Sequence, residues 1–537
     1  MHRLPMTAAI AVFALACTPV DGDPTKPTSS TPTSTPTSDP GTTPDTDTDT
    51  DTDTVTGTAD DADGDGWDVD HDCDDADPTV GGLATVDGAP MGSLTEALAA
   101  ASDGSEVVIC AGTYEGPFSA SVAVHLSSAD GADATILTGG GAGRVLSVPA
   151  GSSLTGVTLT GEDAPARPAG CCCRRRARFE VVDCVISGNR AELGGGGVAL
   201  PADSALTLPG AGSRNTAAEG GRVYADAGAA LDLADSVVTG NEAELGGGLR
   251  LAGGAVTGGT LEDNVAPSQN VGGGGGLAAT ASATLTDVTI TSNLAEGQGG
   301  GVWFSGGTLE LAGDTLLVGN EATWGGGLYV RSADVVGGWI EGNTGHFVGG
   351  GVYGSGTLEG LSVVDNDLVA LSTSVVTLGG GVYLSSGELR DSWLSGNHAA
   401  EGGGLLITGV VTVTSSVIEG NSAGMGGGVD VDMGTATLVD TDVTDNTAGA
   451  GGGLRVLGGS ADVVGGSVVR NVASSGGGAV IDYFPVLTSE HADWGEGADD
   501  NAGDDVQLWR YPDPDASYAS FGADATFSCD HDGCTGG

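Results

Sequence analysis

From residue 185 onward, short apolar runs return at a nearly constant interval, and glycine and asparagine separate them. Each unit reads as an aliphatic pair, x-Gly-Asn, a short polar stretch, Gly-Gly-Gly, then Val or Leu. Asn stands at 189, 215, 241, 264, 293, 320, 343, 366, 397, 421, 446, 471 and 501, a mean step of (501 − 189)/12 = 26 residues. The position three residues before each of the first twelve is aliphatic in eleven: Ile186, Val238, Leu261, Ile290, Leu317, Ile340, Val363, Leu394, Ile418, Val443 and Val468, with Gly212 the exception. β-Branched short runs between Gly and Asn turns predict strands, not helices. A unit this small cannot bury a face alone, so successive units must lie on one another. The pattern therefore predicts an all-β stack. Equivalent strands pair in parallel, Val, Ile and Leu fill a narrow interior, and the Asn amides ladder from unit to unit. Gly-Gly-Gly gives the backbone freedom where side chains would collide.

Composition sharpens this reading. Glycine supplies 98 of 537 residues without a strict G-X-Y period, and proline only 20, which excludes collagen. Aromatic residues are 4%, too few for several conventional cores. Lys and Arg total 17 against 72 Asp and Glu, a net charge of −55. Such a chain repels nucleic-acid phosphates and anionic lipid head groups and favours solvated cations, above all Ca²⁺.

The repeat resembles right-handed parallel β-helix proteins of the pectin-lyase-like type, and its Gly-Asn…Gly-Gly-Gly-Val unit resembles polymorphic outer-membrane-protein repeats. The entry agrees: residues 93–102 (Ser-Leu-Thr-Glu-Ala-Leu-Ala-Ala-Ala-Ser) look like a short N-terminal capping helix, and Gly104 to Glu115 like a first coil with its turn at Gly112-Thr113-Tyr114. The resemblance spans residues 83–528. At a strand spacing of ~4.8 Å, about fifteen coils would make a rod of roughly 70 Å.

The N-terminus reads as an export signal: Arg3, then a mostly apolar run from Met6 to Ala16. That run is shorter than the roughly 20 apolar residues a membrane span needs. It ends Ala14-Leu15-Ala16-Cys17, which resembles the bacterial lipobox, although Ala14 stands where that family usually has Leu. The resemblance implies lipidation of Cys17 and an outer-membrane, cell-surface location in a Gram-negative bacterium, with the membrane touched only through the lipid. Residues 18–59, Thr/Ser/Pro-rich and then alternating Asp and Thr, cannot form a core and read as an extended tether. Export permits disulfides. Cys529 and Cys534 flank Asp-His-Asp-Gly and are expected to close a turn in the tail, residues 529–537; Cys73 and Cys110 form a second candidate pair. Cys171, Cys172, Cys173 and Cys184 match no zinc spacing.

Residues 60–80 carry the densest chemistry. With Asp61 as position one, Asp63 and Asp65 fall at three and five, Gly66 at six and Asp72 at twelve. Alternate carboxylates converge on one hard cation while Gly66 makes the sharp turn. The loop resembles an EF-hand with Asp in place of the bidentate Glu, but Pro78 and the glycines after it leave no room for an exiting helix. As a whole it is more similar to the Asp-rich calcium repeats of thrombospondin type 3, which implies a calcium site built from Asp61, Asp63, Asp65, Asp70, Asp72, Asp74 and Asp75. The alternative is a solvated acidic run continuing the tether.

Two function classes remain. The β-helix resemblance implies polysaccharide lyases, epimerases or hydrolases that use calcium-held carboxylates and an Arg or Lys base. Yet the one lysine, Lys26, lies in the tether, and Arg250, Arg331, Arg390 and Arg455 stand singly. Asp287 and Asp314 occupy equivalent positions in adjacent coils, where a solvated turn is the plainer reading than an acid–base pair. A binding role has a positional basis. The residue after Gly-Gly-Gly-Val/Leu should point outward, and that column holds Tyr224, Arg250, Ala278, Trp303, Tyr329, Tyr353 and Tyr383. Trp303, Tyr329, Tyr353 and Tyr383 would form a ladder able to meet a glycan or a protein partner, or one that simply stacks on itself. Residues 162–178 and 203–222 lack the aliphatic site, and Arg222 replaces a glycine of the triplet; this stretch reads as a degenerate loop or a frame error, with a basic anion-binding loop as the alternative. The expectation is a non-catalytic, calcium-binding surface lipoprotein, structural or adhesive. The alternative is a pectate-lyase-like polysaccharide enzyme, and a third possibility is a passive spacer.

Overall fold

The computed structural model describes residues 62, 64, 66, 72, 73 and 76, and then 81–509 except 141–143, 162, 165–170, 175–177, 209–211, 214, 270–271, 483–485, 496–499 and 504, with three strands after 518. All of these belong to one compact unit, Thr58–Gly537. Cys17 and the tether lie outside the described residues, as do Asp61, Asp63, Asp65, Asp70, Asp74 and Asp75.

The chain winds as a right-handed-type parallel β-solenoid of about 14 turns, close to the fifteen expected. One coil shows the rest. Four short strands, Val302–Phe304, Thr308–Ala312, Leu316–Val318 and Glu321–Trp324, form its circuit. Each pairs in parallel with its equivalent in the next coil: Val302 with Leu328, Leu309 with Val335, Leu317 with Ile340 and Ala322 with Gly345. Side chains alternate across each strand, so Val302, Phe304, Leu309, Leu317 and Ala322 point inward and are fully buried. The main apolar column runs from Ala84 to Val506, and the alanines of the fourth strands, Ala266, Ala295 and Ala322, stack separately.

The Asn column is an unbroken ladder. Each Asn donates its backbone N–H and side-chain amide to the Oδ1 of the next, from Asn189 to Asn215 at one end and Asn471 to Asn501 at the other. In mid-stack, Asn320 Nδ2 donates to Asn343 Oδ1 at 3.0 Å, and Asn343 Nδ2 to Asn366 Oδ1 at 2.9 Å. A second bond from each amide reaches a strand carbonyl; Asn343 Nδ2 meets Leu317 O at 2.9 Å. Buried polar groups must be paired, and this ladder pairs them at the sharp corner of each turn from Asn189 to Asn501. The residue before Asn takes a left-handed backbone: Gly342 has φ +59°, Asp365 +52°, Asp445 +57°. Gly and Asp, which tolerate that conformation, predominate at this position, although Ser292 and Arg470 also adopt it, with φ +54° and +58°.

The glycine triplet follows from sterics. Gly325 has φ +64°, and a Cβ on it would strike the carbonyl of Leu328. A Cβ on Gly326 would strike Gly350 O in the next coil. On Gly327 it would lie 2.8 Å from Ile340 Cγ2 and 2.9 Å from Asn343 Nδ2, inside the ladder.

The ends are closed differently. Helix Leu94–Ala100 is capped by Ser93, whose Oγ accepts the Glu96 N–H at 3.2 Å, and buries Leu94, Ala97 and Leu98. Strand Ala84–Val86 runs antiparallel to Ser105–Ile109 at this edge. At the other end, Phe527–Asp530 and Gly533–Gly536 form an antiparallel pair that sets Cys529 opposite Cys534. Cys73 and Cys110 form a disulfide with Cα atoms 5.6 Å apart. Cys184 is a buried free thiol, its pKa pushed up to about 11 by removal from water.

Residues 163–222, expected to be a loop or an error, instead keep the register of the solenoid where they are described. Cys171–Arg174 pairs with Leu146–Pro149 on one side, and Cys171 and Cys172 with Val198 and Ala199 on the other. Gly212 pairs with Val238 in the aliphatic column and brings no side chain to it. Arg222, in the inward-facing third place of its triplet, is 1% exposed. Its stem lies beside Gly197, where an added Cβ would meet Arg222 Cγ at 3.5 Å and Ile186 Cγ2 at 3.1 Å. Burial without a partner for Nε or Nη1 lowers its pKa to about 10.

Candidate functional site

The column that follows the glycine triplets continues through thirteen coils as Ala199, Tyr224, Arg250, Ala278, Trp303, Tyr329, Tyr353, Tyr383, Leu406, Asp430, Arg455, Val480 and Gln507. Across the triplet, the end of each fourth strand supplies a facing column, including Glu219, Leu245, Gln298, Trp324, Val348, Leu378, Glu401 and Met425. The two meet in a concave corner floored by glycine.

The centre of this corner is aromatic. Tyr329 and Tyr353 stack with centroids 4.9 Å apart and planes at 6°; Tyr353 and Tyr383 stack at 5.0 Å and 7°. Those separations are the strand spacing itself, so the rings cover one another's faces along the axis. The three residues are half-buried; Tyr383 Oη lies 3.1 Å from Thr408 Oγ1. Burial raises the Tyr329 and Tyr353 phenols above their ordinary value. The expectation of one exposed ladder holds for register and only partly for exposure. Trp303 points away from the interior but is 9% exposed, because it packs into the corner and donates to Gln298 Oε1 at 3.0 Å. Outward is not the same as solvent-facing where two faces meet at a concave angle.

Charge closes the corner at both ends. On the N-terminal side, Arg250 pairs with Glu219 at 3.0 Å and lies over the Tyr224 ring at 5.1 Å; a cavity of about 280 Å³ opens beside them, lined by Leu193, Gly194, Ala218, Glu219 and Tyr224. On the C-terminal side, Arg455 Nη1 donates to Asp430 Oδ2 at 2.9 Å and to Glu401 Oε2 at 3.1 Å, reaching back one coil and two. Asp430 is fully buried, and its Oδ1 has no partner. Its carboxyl is pushed up to about 7, because loss of water outweighs the attraction of Arg455, while the two carboxylates hold Arg455 protonated. Asp430 and Glu401 were not among the residues singled out in the sequence, and Arg455 was counted only as a scattered arginine. The same offset past Tyr383 reads Leu406, Asp430, Arg455 and places two of the three.

The other expected sites fall as follows. Asp72 is 8% exposed beside the disulfide-bonded Cys73. Gly64 and Gly66 have positive φ, +79° and +102°. Carboxylate donors of this kind suit a hard cation. Among the described residues, no group of three or more His, Cys, Asp or Glu is arranged to hold a metal. Asp287 takes a left-handed turn, φ +57°, and its Oδ1 accepts the Asp314 N–H at 2.9 Å, a turn contact and not an acid–base pair. No described helix is long and apolar enough to cross a membrane. No protein-family model, curated protein or solved structure matches this chain.

Proposed function

We propose that this chain is a non-catalytic, calcium-binding lipoprotein of the cell surface, whose β-helix serves as a structural or adhesive rod. The observation that carries the proposal is the pairing of a fully laddered interior with an exterior corner whose ionic groups are spent on each other. Asp430, Glu401 and Arg455 are the closest approach to an acid–base cluster in that corner, and Arg455 bonds both carboxylates. A catalyst needs such groups facing a substrate. A display rod needs rigidity, which the Asn ladder supplies. Fourteen turns at ~4.8 Å give a solenoid of roughly 70 Å, and lipid on Cys17 with a tether over residues 18–59 would hold it away from the membrane. Calcium would be taken by Asp61, Asp63, Asp65, Asp70, Asp72, Asp74 and Asp75, with Gly64 and Gly66 turning the loop. The partner is a surface glycan or protein that meets the Tyr329, Tyr353 and Tyr383 edges.

The test has two arms on the full chain. Incubation with acidic polysaccharides should give no unsaturated product, whereas turnover would establish the lyase alternative. Calorimetric titration with Ca²⁺ should show binding with Kd of about 10⁻⁴–10⁻³ M, lost in Asp63→Asn/Asp65→Asn. A silent wild-type titration would reduce the motif to an acidic extension of the tether.

A further inference from the structure

A second aromatic feature lies on a different face. The outward column of the third strands reads Leu316, Trp339, Ser362, Trp393, Val417. Ser362 is its smallest member, and the indoles on either side lean over it. Their centroids are 5.9 Å apart and their planes meet at 71°, edge to face. Both rings are fixed by carboxylates: Trp339 Nε1 donates to Glu341 Oε2 at 2.8 Å, and Trp393 Nε1 to Glu419 Oε1 at 2.9 Å. Trp339 is still 36% exposed. In a chain with only 7 Trp, two have been brought together on the outside.

The chemistry of this corner selects its ligand. In this edge-to-face contact one ring's edge covers part of the other's face, and the ring face left open carries negative quadrupole. Glu341 and Glu419 add formal negative charge at its edge, in a protein of net charge −55. The nearest guanidinium along the chain, Arg390, is engaged by Glu359 at 3.1 Å and Glu388 at 3.6 Å. The indole N–H groups that would hydrogen-bond a sugar hydroxyl are already used by the two glutamates. What remains is apolar surface, π density and negative charge. We infer that the Trp339–Trp393 corner binds an organic cation with an apolar shell, of the quaternary ammonium class. Such a group gains from the ring faces and the carboxylates together and needs no hydrogen-bond donor from the site. The inference goes beyond the reading of the rod as an adhesin and depends neither on calcium nor on the tyrosine corner.

The experiment is titration of the full chain with choline chloride, with its uncharged isostere 3,3-dimethylbutan-1-ol, and with cellobiose, followed by calorimetry and ligand-observed NMR. Choline should bind at least ~10-fold more tightly than the isostere, the scale of one or two cation–π contacts. Trp339→Leu, which keeps apolar bulk and loses the ring, should weaken choline by ~10-fold. Glu419→Gln keeps an acceptor for the indole and removes a charge; it should weaken choline by about 2–5-fold, with less dependence on salt. Equal binding of choline and isostere would make the corner a plain apolar patch and overturn the inference. So would binding of cellobiose in preference to choline, or choline binding unchanged in both variants.

Discussion

The interior Asn column and the exterior column beyond the glycine triplets both place one residue in each coil, yet they differ in what they permit. Inside, every position from Asn189 to Asn501 is the same residue, and each as far as Asn471 donates to the Oδ1 of the next. Outside, the column passes through cation, aromatic, aliphatic and carboxylate side chains. The reason is the surroundings. At the buried corner the amide must satisfy its own donors, a neighbour's, and a strand carbonyl that has no water to turn to. Asn alone meets all three at this distance. The exterior column sees solvent or a facing side chain, and many residues suit it. Fold is thus fixed by the inner column, and whatever is particular to this protein is written on the outer ones.

The strongest way to break that comparison is to place a charge inside. Ile290 is fully buried. Ile290→Asp should cost ~5 kcal/mol or more and unfold the neighbouring coils, read as loss of β-structure by circular dichroism and of amide protection across residues 264–320. A variant that kept full protection there would show the interior to be far looser than its packing.

A smaller effect comes from the one carboxylate that the exterior column buries. Asp430 titrates at about 7 in the folded protein against an ordinary value of 3.8. The folded state therefore keeps a proton that the unfolded chain has released. The stability tied to this group is fully present below about pH 4 and is lost as pH rises through about 7. The unfolding free energy from urea titrations should fall across that window by up to a few kcal/mol, about 1.4 per unit of pH. Asp430→Asn should flatten the slope and raise the urea midpoint at about pH 8. A variant with the wild-type slope would place the titration on another group.

How much was legible in the sequence follows the same division. The Asn and aliphatic positions were visible because every coil imposes the same demand. The stacked tyrosines were visible because they share one offset from an easily found triplet. Trp339 and Trp393 were not, because they meet across Ser362 through coils of unequal length, with steps of 362 − 339 = 23 and 393 − 362 = 31 residues. Trp303 was placed correctly in register and wrongly as exposed, since strand alternation gives a direction and not the shape of the corner it enters. At residues 203–222 the expectation of a broken repeat failed for a reason of packing. Gly212 holds the aliphatic register by its backbone pairing with Val238, and Arg222 is buried in its triplet instead of breaking it.

The most direct test sets one residue of each column side by side in the full chain. Asn343 accepts from Asn320 and donates to Asn366 and Leu317, while Tyr353 touches its neighbours mainly through two stacked faces. Urea unfolding of Asn343→Ala and Tyr353→Ala, followed by circular dichroism at one pH, compares them without further assumption. With buried groups orphaned at ~1–3 kcal/mol each, Asn343→Ala should lose at least ~3 kcal/mol. Tyr353→Ala should lose only ~1–2 kcal/mol, the worth of two cross-strand pairs. An equal or larger loss from Tyr353→Ala would contradict the claim that the inner ladder, and not the outer column, holds the rod together.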